Sequence, residues 1–127
     1  MSLINQQITE LIKEKLEYQD DSLNIQIKFD KNFIGFKGHF PNNPVLPGVV
    51  MIKTMTLMYE LYKKKEVTLS QITQAKFIEP VFADTVTCFI VKANRDKLNR
   101  DKQTIKLQGK VLKSEKIIAK ISLILQE

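Results

Sequence analysis

Cysteine, histidine and glycine are scarce in this chain, and each shortage removes a class of function. A single cysteine, Cys88, can build neither a disulfide framework nor a thiolate metal site; set in a densely apolar stretch, it reads as a small core residue. Four glycines are scattered without a phosphate-cradling loop, and one histidine leaves no paired His/Cys/Asp spacing, so no cofactor and no metal is implied. No apolar run reaches the roughly 20 residues of a membrane span. The N-terminus lacks the basic and then apolar order of a secretory signal, so a cytoplasmic protein without a membrane partner is expected. There are no internal repeats and no low-complexity tracts. With 43% hydrophobic and 27% charged residues over 127 positions, the chain is globular rather than disordered and long enough for one core but not two. A single domain over residues 1–127 is the expectation.

What is present in excess is positive charge. A formal net charge of +6 and a pI near 9.4 suit an acidic partner. Nucleic acid is disfavoured, because the basic residues are spread along the sequence among acids and no helix-turn-helix, zinc-finger or ribonucleoprotein-type aromatic motif accompanies them. A solvated basic surface without a partner stays open at this level.

Apolar residues at Leu3, Ile4, Ile8, Leu11 and Ile12 lay a stripe along one side of an N-terminal helix within residues 1–17. Its polar side carries acids as well as bases, which predicts packing on the protein body rather than on a membrane surface. Residues Tyr18 to Ser22 read as a connection, and Ser22 to Phe29 alternate strictly as a half-buried strand. A short strand is expected over Phe33 to Phe36. From 47 to 64 runs a helix apolar on nearly every side, broken only by a thin line through Lys53, Thr56 and Glu60, which predicts a buried helix with one side on a cleft or a partner. After a linker from Glu66 to Ser70, strands are expected at Ala75–Val81, with Pro80 marking an edge or a bulge, and at Thr85–Ala93, Thr104–Leu112 and Ile117–Leu125. One apolar helix inside antiparallel strands can bury itself if the sheet curls around it, an α+β arrangement.

The only histidine and three of the four prolines fall together in Gly38-His39-Phe40-Pro41-Asn42-Asn43-Pro44-Val45-Leu46-Pro47-Gly48-Val49. Prolines at a spacing of three fix φ and extend each preceding residue, giving a stiff loop without regular hydrogen bonds. Pro47 is placed as the first residue of the helix, preceded by Leu46, which has no capping side chain. The amides of Gly48, Val49 and Val50 are then candidates to meet an anion or a polarised carbonyl, with Gly48 allowing close approach. Water or the Asn43 side chain could equally satisfy them.

The run GHFPNNPVLPGV resembles the active-site segment of the 3-hydroxyacyl-acyl-carrier-protein dehydratases, GHFPxxPxxPGV followed by a helix. The lead-in Phe33-Ile34-Gly35-Phe36 and the later Lys76-Phe77-Ile78-Glu79-Pro80-Val81 support the likeness on either side. The resemblance implies a hotdog fold, in which the sheet wraps the central helix and two subunits join sheets, with an acyl carrier protein or similar pantetheine-linked acyl thioester as substrate donor. It implies a homodimer or higher oligomer, or a heterodimer with a related subunit. His39 and residue 53 would be catalytic, and Gly48, Val49, Phe40 and Pro47 would line the oxyanion and substrate site. One position departs from the pattern: where the family carries a glutamate or aspartate on the helix, this chain has Lys53.

Dehydration of a 3-hydroxyacyl thioester needs a base for the α-proton, an acid for the departing hydroxide and donors for the enolate-like oxygen. His39 suits the first task near neutral pH, and the Gly48 amide, by resemblance, the third. Lys53 has three readings: the acid itself, a ligand for a substrate oxygen or carboxylate, or the mark of a subunit that has lost activity and pairs with an active one. Glu60, seven residues on and roughly 10 Å along the axis, is not expected to replace the missing carboxylate within the same subunit. A hotdog thioesterase and a non-catalytic acyl-binding subunit are the competing functions.

Overall fold

In the computed structural model, which describes residues 2–36, 44–95 and 103–127, helix α1 spans Leu3–Ile12 and opens on Ser2, whose hydroxyl accepts the Asn5 amide at 3.1 Å. The expected apolar stripe drives Ile8 and Ile12 into full burial. The helix is shorter than the stretch 1–17 because Glu17–Gln19 forms strand β1 instead. β1 pairs with β2 (Ser22–Lys28) through a two-residue turn at Asp20 and Asp21, both at positive φ (54° and 62°). That backbone is the hairpin turn that matches strand twist. A pair of aspartates, rather than Asn-Gly, makes it hard to see in the sequence, which reads as a plain connection.

Phe33 to Phe36 does not form a strand: Ile34–Phe36 is a single 3-10 turn, tied to α1 by the Ile34 amide donating to Gln7 Oε1 at 2.9 Å. Short-range aromatic packing decides this, since Phe33 sits 4.8 Å from Phe29 and 5.8 Å from Phe36, ring centre to ring centre.

Helix α2 runs Gly48–Lys63 and four further strands follow: β3 Thr68–Phe77, β4 Val86–Arg95, β5 Thr104–Lys113 and β6 Lys116–Gln126. The six strands form one antiparallel sheet in the order β1-β2-β4-β5-β6-β3. β3 starts inside the expected linker and ends before Pro80. It is an edge strand, as Pro80 suggested, but its two register shifts lie at Leu69/Gln71 and Ile72/Gln74 rather than at the proline. The inner face of the sheet covers α2, with Phe89, Val91, Leu107 and Leu123 fully or almost fully buried against it. This is the α+β hotdog arrangement that the resemblance implied. Cys88 belongs to the opposite face: with Phe89 pointing in, its neighbour must point out, and it is half-buried opposite Gln26 and Leu112 rather than in the core. That partial burial raises its thiol pKa above the ordinary value.

Two polar details let α2 be buried on so many sides. Thr54 is fully buried and donates its hydroxyl to the Val50 carbonyl at 2.8 Å, leaving no orphan donor. Gly109, midway along β5, makes room for the helix, because a Cβ there would stand 2.5 Å from the Met55 sulfur. Met55 therefore packs directly on the backbone of β5, and it is fully buried. Met55→Ala is expected to lower stability by about 2–5 kcal/mol, read as a shift of the urea midpoint at unchanged slope, since glycine opposite cannot fill the void.

Candidate functional site

The site is built where the chain re-enters α2. Pro44 to Leu46 lie alongside Val81 to Ala83: Val45 bridges Phe82, the Leu46 amide donates to the Val81 carbonyl at 2.7 Å and the Ala83 amide to the Pro44 carbonyl at 3.2 Å. Leu46 and Val81 are both buried, so the end of the proline segment is fixed by packing and pairing together. Pro47 turns out to be the N-cap in extended geometry (φ −62°, ψ 143°), one position outside the helix rather than its first residue, and no side chain caps the turn. The Val50 amide is removed from the candidate donors, because it returns to the Pro47 carbonyl at 3.0 Å. Gly48 and Val49 remain as amides on the first turn, at the positive end of a sixteen-residue helix.

What comes close to Gly48 is Phe77 of β3. A Cβ on Gly48 would stand 2.5 Å from the ring tip of Phe77, so this aromatic contact requires glycine here. Phe77 is 46% exposed although it lies on the inner side of an edge strand. The sequence signal for it was present, since Phe77 falls within the Lys76 to Val81 stretch, but nothing in the spacing says that it lies over the helix start.

Lys53 is half-buried one turn beyond Val49, and Val49 itself is 57% exposed. Val49, Lys53, Thr56 and Glu60 all line one cleft of about 300 Å³, closed by Asn5 of α1 and by Val67 and Leu69 at the start of β3. The thin polar line in the helix does face a cleft. Glu60 is committed to structure there, with Oε2 accepting the Val67 amide at 2.8 Å. Among the described residues Lys53 has no ion pair. Asn5 Oδ1 is buried in the same place without a hydrogen-bond partner, a contribution from α1 that no sequence pattern announced. A larger cavity of about 550 Å³ lies elsewhere, between Leu3, Gln7 and Glu10 of α1 and the segment Asp30 to Phe33, and touches none of the predicted site residues. His39 and Phe40 lie outside the described residues, as does Asn43. Among the described residues no group of three or more His, Cys, Asp or Glu side chains could hold a metal.

Gly48→Ala is expected to cost about 1–3 kcal/mol through overpacking against Phe77. The pair Gly48→Ala/Phe77→Ala should recover most of the Gly48→Ala penalty in a double-mutant cycle of thermal unfolding; additive losses would show that another neighbour demands the glycine.

The ApeI dehydratase family profile matches residues 14–116. A 3-hydroxyacyl-acyl-carrier-protein dehydratase, FabZ of Fusobacterium nucleatum, is 30% identical over 92 residues, covering 68% of this chain and 62% of the relative. FabZ of Rickettsia canadensis is 28% identical over 119 residues, covering 76% and 82%. The chain thus spans about three fifths of the length of the first of these. Among solved structures, the dehydratase heterocomplex ApeI:P from Xenorhabdus doucetiae superposes with a TM-score of 0.61 at 22% identity, over 86% of this chain and 90% of that one. The Escherichia coli PaaI protein of the phenylacetic acid degradation operon gives 0.68 at 12% identity, over 97% and 89%. Both structures establish the fold, and no described helix is long and apolar enough to cross a membrane. With the profile covering most of the sequence and the FabZ proteins among its relatives, the chain belongs to the ApeI-like, FabZ-related family of hotdog dehydratases.

Proposed function

We propose that this protein, acting in the cytoplasm on an acyl chain carried by acyl carrier protein or a similar pantetheine thioester, removes water from the 3-hydroxyacyl group. The observation that carries the reading is the junction of the GHFPNNPVLPGV segment with a helix start that has no side-chain cap. In this scheme His39 takes the α-proton, and the electron pair moves into the thioester carbonyl, whose oxygen accepts the Gly48 amide and feels the helix dipole. The carbonyl re-forms as the Cβ–O bond breaks, and the hydroxide leaves as water with a proton from a general acid. Val49, Pro47 and Phe40 border the acyl thioester. Lys53 stands at the position where the resemblance places the acid.

The partner surface follows from β3. All ten of its residues are exposed, among them Leu69 at 39%, Ile72 at 47% and Phe77 at 46%. A ten-residue exposed edge that carries Leu69, Ile72 and Phe77 is a pairing surface that natural proteins tend to cover, and here it borders the Lys53 cleft. A second subunit on this edge, identical or related, completes the site. The unpaired Lys53 favours a related partner that supplies the carboxylate, and a fold neighbour described as a heterocomplex gives that arrangement a precedent. Light scattering after gel filtration at micromolar concentration is expected to give a dimer or larger species, alone or with that partner; a strict monomer under both conditions removes the shared site.

Enoyl-thioester absorbance with short and medium 3-hydroxyacyl thioesters tests the reaction. Loss of a positioned acid costs about 10²- to 10⁴-fold, so slow turnover by the chain alone, abolished by His39→Ala and raised by Lys53→Glu, is the expected result. If Lys53 is the acid, Lys53→Met is strongly damaging and Lys53→Glu nearly neutral. If the chain is the silent half of a heterodimer, His39→Ala changes nothing until the partner is added. A fast wild type indifferent to Lys53→Met overturns all three readings.

A further inference from the structure

The four strands β3 to β6 contain seven lysines and no aspartate or glutamate, although the whole chain has 14 acids. Strand register gathers five of them on the face of the sheet turned away from α2. Lys110 of β5 lies directly opposite Lys120 of β6, and Lys120 directly opposite Lys76 of β3. The three ammonium-bearing side chains thus stand in one row, about 4.8 Å apart from strand to strand. Lys92 and Lys106 flank the row on β4 and β5, and all five are exposed. Among the described residues none of the five has an ion pair, and Glu79, just past the end of β3, is taken by Lys116 at 3.0 Å.

Like charges directly opposite one another weaken a sheet. The fold gains nothing from this row, and its neutralising charge does not come from the described part of the chain. The described outward side chains of these strands include neither an aromatic nor an arginine. They offer no stacking platform for single-stranded nucleic acid and no aromatic or guanidinium anchor of the kind that concentrates energy in a protein interface. What they offer is compact point charges interleaved with the half-buried aliphatic residues Ile90, Leu112 and Ile124. A clustered set of four to eight cations without geometric demand suits a dense field of headgroup phosphates.

We propose that the outer face of the sheet is a docking surface for an anionic lipid bilayer, with Lys76, Lys120 and Lys110 at its centre and Lys92 and Lys106 beside them. The expectation of no membrane partner came from the lack of a spanning segment and from the mixed charge of the N-terminal helix; the docking charge lies on the sheet instead. Binding is peripheral and electrostatic, and it is screened over roughly 10 Å at 0.1 M ionic strength.

Co-sedimentation of the full chain with vesicles tests this. Vesicles one third phosphatidylglycerol in phosphatidylcholine should retain the protein at low salt, and pure phosphatidylcholine vesicles should not. Neutralising two lysines of the row, Lys110→Gln with Lys120→Gln, should weaken partitioning by about thirtyfold. Lys31→Gln with Lys63→Gln, which removes the same charge away from this face, should change it less than threefold, and melting curves check that both variants are folded. Equal binding to neutral vesicles, equal losses in the two double variants, or no sedimentation with either lipid overturns the proposal. So does binding of duplex DNA or an acidic carrier through Lys110 and Lys120 with anionic vesicles left unbound.

Discussion

An apolar helix must be covered on nearly all sides, and most of this architecture meets that requirement for α2. Eight of its sixteen residues are buried, the inner sheet face lies across one flank and α1 across another, and Met55 reaches the backbone of β5 only because residue 109 has no side chain. At its far end Lys64 adopts the left-handed conformation and the Lys65 amide closes on the Glu60 carbonyl. Tyr59 and Lys65 both hold the Glu127 carboxylate. One stripe of the helix is left uncovered by this packing, and it is the stripe with Val49, Lys53, Thr56 and Glu60. The cleft is what that packing leaves uncovered, bordered by an edge strand whose outer side has no partner strand among the described residues.

The start of such a helix is suited to hold a ligand in a fixed orientation. The same packing that fixes α2 also fixes the direction of its first amides, and the bonds between Pro44–Leu46 and Val81–Ala83 hold the approach from the other side. Neither the first-turn amides nor residues Pro44 to Leu46 must be ordered at the moment a ligand arrives, so their orientation is supplied by folding.

Periodicity made the buried helix, the alternating strand Ser22 to Phe29 and the last three strands legible, because one-sided burial writes a period of two and all-round burial removes the polar face. β1 was hidden because its three residues are all exposed and its turn uses two aspartates. The same device recurs at Ser114 and Glu115, φ 49° and 67°, where flanking alternation revealed the hairpin anyway. β3 was read too late because an edge strand, exposed at every position, carries no burial alternation at all. At the site, the proline-histidine motif announced the helix start within one residue. Phe77 over Gly48, and the orphan carbonyl of Asn5 in the Lys53 cleft, could not be announced, since both meet α2 from strands and helices distant in sequence.

The order of the sheet also governs how the chain reaches its native state. β3 follows α2 directly in sequence, yet among the described residues its only neighbour in the sheet is β6, with Thr68 opposite Gln126 and Phe77 opposite Ala119. As the polypeptide leaves the ribosome, α2 and β3 emerge long before the strand that receives β3 exists, and the central helix must wait with its apolar surface exposed. The loop closed by that final pairing is long, which slows folding and lengthens the interval in which an unpaired strand and an uncovered helix are open to wrong partners. Until β6 is made, a nascent chain of this topology therefore presents to its surroundings the surface that the finished sheet hides.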